Sequence, residues 1–199
     1  MKYIQIEKPL LDFWVLDSVP TEDIKTTKTP EKIKILIDST LTELLSKQHS
    51  RLHVPQCEQM MSDIHKQMML LNNHNMCVAY FEIDDIVIIE KKFYFINDTK
   101  IINMKNNKLL INKMIDNTIM FLPYELNPEN SVISLPISIH YNSYMYSLGL
   151  LTLFCLFNTS IKTHYDALNV LNQIVGIELY WCILRCLEIN AEKRKLLFI

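Results

Sequence analysis

Glycine is almost absent from this chain, which has only two in 199 residues, Gly149 and Gly176. Loops that hold the phosphates of dinucleotides or nucleoside triphosphates need closely spaced glycines, because the backbone must approach the phosphate without an intervening Cβ atom. Two glycines far apart in the sequence cannot supply such a loop. The sequence therefore excludes the glycine-rich nucleotide-binding motifs of both the dinucleotide and the Walker type.

Length, charge and cysteine content set the broad class. The chain is 49% hydrophobic and 21% charged, with a formal net charge of -2, which is typical of one globular domain with a sizeable core. Proteins that bind nucleic acid normally carry a strongly basic field, so the sequence predicts no nucleic-acid partner. The five cysteines are an odd number without framework-like spacing, which favours a reducing, intracellular compartment over a disulfide scaffold.

The apolar runs are too short for export or for a membrane span. The first nine residues carry charges and contain no apolar run of signal-peptide length. The longest apolar stretch, 148–157, is about half of the roughly 20 residues that cross a bilayer. We expect a buried helix there, no export and no membrane partner.

Hydrophobic periodicity divides the chain into an N-terminal extension, residues 1–55, and a main domain, residues 56–199, on which the extension packs. The extension is predicted to begin as an irregular arm over residues 1–30 and to continue as an amphipathic helix from Pro30 to residue 48. Apolar side chains of the arm are expected to pin it to the core, namely Leu10, Leu11, Phe13, Trp14 and Leu16.

In the main domain, residues 56–71 are predicted to form a methionine-rich helix. Short β-branched and aromatic runs follow, and they predict small strands with a hairpin near residues 86–96. Residues 97–120 are predicted to be extended and loop-like. Three further helices are predicted at 144–157, 165–171 and 177–187, and neither a repeat nor a low-complexity linker divides the domain.

Three motifs follow one another in the second half of the chain. They are Phe121-Leu122-Pro123-Tyr124-Glu125-Leu126, Tyr144-Met145-Tyr146-Ser147-Leu148-Gly149-Leu150-Leu151 and Ile183-Leu184-Arg185-Cys186-Leu187-Glu188-Ile189-Asn190-Ala191-Glu192-Lys193-Arg194. In this order they resemble three motifs of the C-terminal lobe of eukaryotic-type protein kinases: the end of the activation segment, the start of the buried central helix and the closing pattern of the lobe. From about residue 56 onward the chain resembles in particular the reduced kinase-like proteins of large DNA viruses.

The resemblance implies an ion pair between Glu125 and Arg194. In the family the corresponding side chains tie the activation segment to the base of the lobe, and a buried carboxylate is tolerated only with such a partner. The alternative interpretation is that both residues are solvated surface charges.

The residues of phosphoryl transfer have no clear counterpart here. The glycine-rich loop, the strand lysine and its glutamate belong to an N-terminal lobe, for which residues 1–55 leave no room. Residues 77–89 keep the hydrophobic pattern of the kinase catalytic loop without its His-Arg-Asp, and Tyr144 stands where the family has the Asp that braces this loop. We therefore predict no catalytic residue.

Asp85, Asn97 and Asp98 are the candidates for a vestigial metal or nucleotide site. By resemblance Asp85 lies nearest the position of the catalytic-loop Asn, and Asn97 or Asp98 takes the place of the metal-binding Asp. Asp85 and Asp98 together could hold one Mg²⁺, because carboxylate oxygens suit that ion. The alternative is a loop cap and a turn residue, and we predict neither a bound metal nor a cofactor.

Other suggestive groups have simpler interpretations. His49, His53 and Cys57 recur at helical spacing with ligand types suited to Zn²⁺, but Pro55 interrupts them and boundary residues are the simpler explanation. A Cys/His nucleophilic site is conceivable, but the sequence does not place the two residue types together. Two further groups are predicted to be a pair of structural thiols and a solvated acidic turn, namely Cys182 with Cys186 and Glu82 with Asp84 and Asp85.

Methionines crowd one predicted helix, and they are expected to form adaptable core rather than a binding groove. They are Met60, Met61, Met68 and Met69. Loss of an N-terminal lobe would leave a surface that something must cover. The arm with Phe13 and Trp14, or a partner protein, could cover it.

The sequence thus predicts a mainly helical α+β fold, similar to the protein kinase C-terminal lobe, with a small β-hairpin and no complete N-terminal lobe. The function that this implies is that of a pseudokinase, a catalytically inactive viral protein that binds other viral or host proteins in the host cytoplasm or as a virion component. One alternative is an atypical serine/threonine kinase that retains nucleotide and Mg²⁺ binding. The other is a structural interaction protein of an unrelated α+β fold.

Overall fold

The computed structural model describes residues 2–7, 21–23, 32–116, 118–130 and 132–196. The α-helices of this part are α1 (Leu41–Lys47), α2 (Val54–Asn73), α3 (Ser143–Phe157), α4 (His164–Leu171) and α5 (Glu178–Cys186). The strands are β1 (Lys2–Glu7), β2 (Thr21–Asp23), β3 (Lys32–Ile37), β4 (Ser39–Thr40), β5 (Met76–Val78), β6 (Ile86–Ile89), β7 (Lys92–Phe95), β8 (Ile101–Lys105), β9 (Lys108–Ile111) and β10 (Ile137–His140).

The strands form three small sheets, all with antiparallel pairing. Their strand orders are β1-β3-β2, β4-β6-β7 and β10-β9-β8-β5. The second sheet contains the hairpin β6–β7, in which Ile86 pairs with Phe95 and Ile89 with Lys92. The third contains the hairpin β8–β9, which β10 extends on one side and β5 on the other.

Helix α3 lies at the centre of the main core. Nearly all of its residues are buried, and α2, α4 and α5 pack around it. Gly149 permits the close approach of α5, since a Cβ atom there would lie 3.3 Å from the Cβ of Cys186. In the described part of the chain no helix is both long and apolar enough to span a membrane.

The predicted fold class was wrong in its proportion of helix to sheet and in its similarity to a kinase C-terminal lobe. The class α+β itself agrees with the structure, but the fold is not mainly helical. The described residues form three antiparallel sheets, where we predicted small strands with one hairpin. This is more sheet than a C-terminal-lobe-like fold contains.

The helix predicted from Pro30 to residue 48 was wrong over its first half, where β3 occupies residues 32–37. Lys32-Ile33-Lys34-Ile35 alternates with period two as well as fitting a helical period, and β-branched isoleucine favours a strand. The helix begins only at Leu41. There Thr40 accepts a hydrogen bond from the Glu43 backbone N–H, and the Glu43 side chain accepts one from the Thr40 N–H, which forms a capping box.

The prediction of an irregular arm was wrong where the structure describes these residues, since residues 2–7 and 21–23 form strands on either side of β3. Pro30 and the side chains expected to pin the arm, Leu10, Leu11, Phe13, Trp14 and Leu16, lie outside the described residues. The described part of residues 97–120 is only partly the extended, loop-like segment that we predicted, because it contains the 3₁₀ turn Asp98–Lys100 and the hairpin β8–β9. Its turn residues Asn106 and Asn107 both have positive φ, as in a two-residue turn of type I′.

The four helices predicted in the main domain are confirmed as α2, α3, α4 and α5, with small shifts of their ends. The hairpin near residues 86–96 is confirmed as β6–β7. Its turn residues, Glu90 and Lys91, again have positive φ.

A second, smaller core joins the N-terminal sheet to this hairpin. Ile35 and Ile37 of β3 are buried against Val87, Ile89 and Tyr94 of the hairpin. The N-terminal sheet therefore covers this side of the hairpin.

Candidate functional site

The loop between β5 and β6 carries the most concentrated polar cluster of the described chain. A 3₁₀ turn, Ile83–Asp85, buries the Asp85 carboxylate beside the start of β6. Its Oδ2 accepts a hydrogen bond of 2.7 Å from the Glu82 backbone N–H, and its Oδ1 accepts one of 2.7 Å from Nδ2 of Asn97. The structure thus brings Asp85 and Asn97 together.

Lys100 completes this group. Its Nζ lies 2.5 Å from Oδ2 of Asp85 and also donates to Oε2 of Glu82. The same ammonium stands over the ring of Tyr80, 4.7 Å from its centroid, an arrangement that favours a cation. We call Glu82, Asp85, Asn97 and Lys100 the Lys100 cluster.

The environment holds Lys100 in its charged form. Its side chain is only 11% exposed, and burial alone would lower its pKa. The hydrogen bonds to Asp85 and Glu82 outweigh this effect, so the pKa of Lys100 is raised above its usual value. A permanent protein cation therefore lies between the two carboxylates.

This arrangement differs from the vestigial metal site that the sequence suggested. Among the contacts of the described residues, the Asp98 side chain takes no part in the cluster, and Lys100, which we had not singled out, is its central charge. Asn97 caps the 3₁₀ turn Asp98–Lys100 by accepting from the Thr99 N–H. Within residues 2–7, 21–23, 32–116, 118–130 and 132–196, no group of three or more His, Cys, Asp or Glu side chains could hold a metal ion.

The loop before the cluster is braced by a residue that sequence reasoning missed. Oγ of Ser147, in α3, accepts a hydrogen bond of 2.8 Å from the buried backbone N–H of Phe81. Tyr144, which stands at the position where we expected bracing to be lost, instead pairs its hydroxyl with Nδ1 of His65 at 2.7 Å. The two residues lie one turn apart on α3, so a hydroxyl on the same side of the helix holds the loop.

A second charged site lies beside the first turn of α3. Nη1 of Arg194 is 2.8 Å from Oε1 of Glu125, so the structure brings this predicted pair together. The guanidinium is fully buried, whereas the Glu125 side chain is 21% exposed. We call this pair, with the groups around Arg194, the Arg194 anchor.

The hydrogen bonds of the anchor go mainly to the backbone. Nε of Arg194 donates to the Glu188 carbonyl at 2.6 Å, and Nη2 donates to the Ile189 carbonyl at 3.0 Å. The Nη1 contact with Glu125 lies outside hydrogen-bond geometry, so the carboxylate acts chiefly through its charge. Ser143 Oγ lies 3.3 Å from Oε1 of Glu125, but it donates its proton to the His140 carbonyl at 2.7 Å.

Aromatic rings surround the anchor. The guanidinium carbon of Arg194 lies 5.0 Å from the centroid of the Tyr146 ring, within cation–π range. The Tyr146 hydroxyl and Nδ1 of His164 are 3.0 Å apart, and the two rings are stacked. Burial and the nearby Arg194 charge lower the pKa of His164.

The cysteines and the histidines near the start of α2 do not form a functional cluster among the described residues. None of the five cysteines forms a disulfide among the described residues, and all five are buried. Burial raises the pKa of Cys57 and that of Cys77 to about 12, which favours the protonated thiol. His49 follows α1 and His53 is the N-cap of α2. They therefore do not share a helical face with Cys57.

Two side chains of α2 close the outer edge of β7. The backbone N–H of Phe93 donates to Oδ2 of Asp63 at 3.0 Å, and that of Phe95 donates to Oε1 of Gln67 at 2.9 Å. The neighbouring methionines Met60, Met61 and Met68 are buried, whereas Met69 is exposed. The spacing of Asp63 and Gln67, one helical turn, matches two alternate residues of the strand.

No protein-family model matches this chain, and no curated protein matches it at a significant level. What the chain does must therefore be inferred from its own residues.

Proposed function

We propose that this chain is a catalytically inactive, kinase-related protein of a large DNA virus that binds other viral or host proteins, in the host cytoplasm or as a virion component. The observation that carries the inactive part of the proposal is the position of Lys100. Its ammonium lies between Glu82 and Asp85, and Asp85 is one of the candidates for the vestigial metal site.

A bound Mg²⁺ would have to compete with this internal cation. Mg²⁺ needs carboxylate oxygens that are free to complete an octahedral shell, and both oxygens of Asp85 are already engaged with Lys100, Asn97 and the Glu82 backbone. Breaking a buried pair by removing one partner typically costs about 3–5 kcal/mol. Metal and nucleotide binding at this loop would therefore have to overcome a large free-energy cost.

The kinase relationship is supported by the Arg194 anchor. Glu125 and Arg194 come from two of the three motifs that carry the resemblance, and their charged groups lie 2.8 Å apart. Solvated surface charges would not bury a guanidinium in this way. The proposal concerns the ancestry of these motifs and does not extend to the fold class.

The experiment that tests the inactive part is a thermal-unfolding titration of the purified chain with ATP and Mg²⁺. A ligand that binds the folded state at 100 times its Kd adds about 2.7 kcal/mol, which raises the Tm of a chain of this size by about 5–10 °C. We expect no change up to millimolar nucleotide. Magnesium tripolyphosphate at the same concentration is the control for unspecific effects of a polyanion.

A saturable rise in Tm with ATP, absent with tripolyphosphate, would contradict the proposal and favour the atypical kinase. The protein-binding part is tested separately. Candidate partners found by cross-linking are purified and titrated by calorimetry. We expect a stoichiometric complex with an affinity that does not depend on ATP, and failure of every purified partner to bind would overturn this part.

A second candidate, a structural interaction protein of an unrelated α+β fold, is favoured by the four-stranded sheet β10-β9-β8-β5. This candidate shares the protein-binding role, but in it the Arg194 anchor would not be inherited from a kinase. An anchor inherited from kinases ties the segment around Glu125 to the base of the helical part, so its removal should loosen that segment selectively. Hydrogen exchange on an Arg194→Ala variant distinguishes the two candidates, because uniform loosening of the whole chain favours the unrelated fold.

A further inference from the structure

The part of the third sheet formed by β8, β9 and β10 has one face in the core and the other towards solvent. Along β9 burial alternates, with Leu109 and Ile111 buried and Lys108 and Leu110 exposed. Side chains of directly paired residues lie on the same face of a sheet. The registers of β8 and β10 on β9 thus define a solvent face, which consists of Asn103, Lys105, Lys108, Leu110, Ser138 and the half-buried His140.

Three side chains with nitrogen donors form one row across the solvent face. Lys105 is directly opposite Lys108, and Lys108 is directly opposite His140. Neighbouring strands are about 4.8 Å apart, so the row is about 10 Å long. The next row is uncharged and consists of Asn103, Leu110 and Ser138. The positive charge of this face is therefore concentrated at one place.

No acidic side chain balances the two lysines of the row. Residues 99–115 and 130–165, which supply β8, β9 and β10, contain neither Asp nor Glu. Lys105 and Lys108 form no ion pair with any residue that the structure describes. Like charges directly opposite each other on a sheet are destabilising. A bound anion would thus relieve a repulsion that the chain itself leaves in place.

His140 adds a neutral donor at one end of the row. Its Nδ1 accepts a hydrogen bond of 3.2 Å from the Asn142 backbone N–H, so the proton of the neutral ring is on Nε2. Burial lowers the pKa of His140, which favours this neutral form. Two acids act on this imidazole; Glu125 is engaged with Arg194, and the exposed Glu192 forms no ion pair with a described lysine. An anion would therefore be held mainly at the lysine end of the row.

The count of charges favours one doubly charged group over separate carboxylates. A single carboxylate would leave one of the two lysines uncompensated. A phosphoryl group on serine or threonine carries about −1.5 to −2 charges at pH 7 and has three strong acceptor oxygens. Because the adjoining row is neutral, a longer acidic stretch would place most of its carboxylates away from any cation. The charge of the row thus matches one phosphorylated side chain.

Leu110 indicates what lies beside the phosphoryl group. It is 54% exposed and follows Lys108 by two residues on β9, a separation of about 6.8 Å. An extended partner segment that runs along β9 has the same repeat. The residue two positions from the phosphorylated one would therefore lie over Leu110, and an apolar side chain there would remove this leucine from water.

We propose that the solvent face binds an extended segment of a partner protein that carries phosphoserine or phosphothreonine, with an apolar residue two positions away. The proposal rests on the protein-binding function proposed above and names the surface and the partner chemistry for it. The phosphoryl oxygens accept hydrogen bonds from Lys105 and Lys108, and Nε2–H of His140 is a third donor. The apolar residue packs on Leu110.

The test uses fluorescein-labelled nonapeptides measured by fluorescence anisotropy with the full chain. The central residue is phosphoserine, Glu or Ser, and a Leu two residues before it and another two residues after it serve either chain direction. We expect the phosphoserine peptide to bind at least about tenfold more tightly than the Ser peptide, since one hydrogen bond between charged groups is worth that factor or more. The singly charged Glu peptide should bind at least about threefold more weakly than the phosphoserine peptide, and high salt should shrink both differences.

Matched variants locate the site. The double substitution Lys105→Ala with Lys108→Ala changes two exposed positions and should weaken binding of the phosphoserine peptide at least about tenfold. The control is Lys66→Ala with Lys162→Ala, the same change of charge at exposed positions outside the solvent face, and it should stay within about twofold of the unmodified chain. Leu110→Ser should weaken binding by about threefold or more.

Four results would overturn the proposal: equal binding of the phosphoserine and Ser peptides, equal binding of the phosphoserine and Glu peptides, no binding of any peptide, or equal weakening by the two double variants. An unchanged affinity of the Leu110→Ser variant would overturn the apolar contact. Displacement of the peptide by inorganic phosphate at the same concentration would also overturn the proposal, because the occupant would then be a free anion.

These outcomes are distinct from those that test the broader function. A purified partner that binds equally well after phosphatase treatment would overturn the phosphorylated segment and leave protein binding standing. Stabilisation by ATP beyond that by tripolyphosphate would contradict the inactive function without affecting the peptide result.

Discussion

Lys100 and Arg194, two cations with buried or nearly buried side chains in the described chain, both contact carboxylates but join different parts of the molecule. The Lys100 cluster links groups within residues 82–100, a single stretch around the hairpin β6–β7. The Arg194 anchor links Glu125 to the region after α5, far away in sequence. The first neutralises a loop locally, whereas the second holds together segments that would otherwise separate.

The partners of the two cations differ as well. Arg194 is fully buried and directs its hydrogen bonds to backbone carbonyls, with the partly exposed Glu125 as its counter-charge. Lys100 is bound by side chains, and its partner Asp85 is more buried than the lysine itself. Removal of Arg194 should therefore affect global stability most, and removal of Lys100 should affect the charge balance of one loop.

The largest effect is expected from Arg194→Ala. It leaves the Glu188 and Ile189 carbonyls and the Glu125 carboxylate without their partner, so we expect the free energy of unfolding to fall by about 3–5 kcal/mol. Urea denaturation followed by circular dichroism measures this change. Lys193→Ala, at the exposed neighbouring position, is the control and should change stability by less than about 0.5 kcal/mol. Equal midpoints for the two variants would refute the anchor.

A smaller loss is expected from Lys100→Met, which keeps the length of the side chain but removes its charge. Hydrogen bonds to charged groups contribute about 1.5–3 kcal/mol, and we expect a loss in this range at pH 7. The folded pKa of Lys100 is raised, so its contribution is complete below the unfolded value of 10.5 and is lost as the pH rises above it. The methionine variant should lack that alkaline loss.

The response to Mg²⁺ tests whether Lys100 takes the place of a bound cation. With its internal cation removed, the Lys100→Met variant should be stabilised by millimolar Mg²⁺ more than the unmodified chain, as a shift in Tm. Equal Mg²⁺ responses of the two proteins would mean that Lys100 does not fill the place of a cation.

Ser147→Ala is expected to have a still smaller effect. It leaves the buried N–H of Phe81 without an acceptor, and an unsatisfied buried donor costs about 1–3 kcal/mol. Hydrogen exchange should show faster exchange of the Phe81 amide, since the loop that carries Asp85 loses its tie to α3. Ser46→Ala removes an exposed hydroxyl that bonds within its own helix, and it should leave exchange at Phe81 unchanged.

The smallest effect concerns pH and the surroundings of Arg194. Because burial and Arg194 lower the pKa of His164 below 6.5, the unfolded chain binds this proton more readily, and stability should fall as the pH drops below 6.5. His164→Gln should flatten this part of the stability profile. A profile identical to that of the unmodified chain would show that His164 does not sense the anchor.

The helices of the main domain could be predicted from sequence because their patterns are long and unambiguous. Residues 144–157 are almost entirely apolar, and the predicted helix ends where Asn158 adopts the left-handed conformation of a C-cap. The prediction for the N-terminal extension failed because isoleucines at positions 33, 35 and 37 fit a strand as well as a helix. Only the pairing with β1 and β2 decides between the two. The Thr40 capping box was a usable local signal for the true helix start.

The candidate site was only partly accessible to sequence reasoning. Glu125 and Arg194 were named through a resemblance, and the structure brings them together. Lys100 was missed because no local pattern indicates that it folds back onto a loop fifteen residues earlier. Ser147 was missed because the resemblance placed the bracing position at Tyr144, one helical turn away. A single sequence does not reveal which hydroxyl faces Phe81.

The closure of β7 by Asp63 and Gln67 has a consequence for behaviour at high concentration. A bare strand edge can act as a template on which other copies polymerise through backbone pairing. Here the two donors that would seed such growth are already bound to α2. Along this edge, a crowded population of these molecules is protected from cross-β assembly by two side chains of one helix.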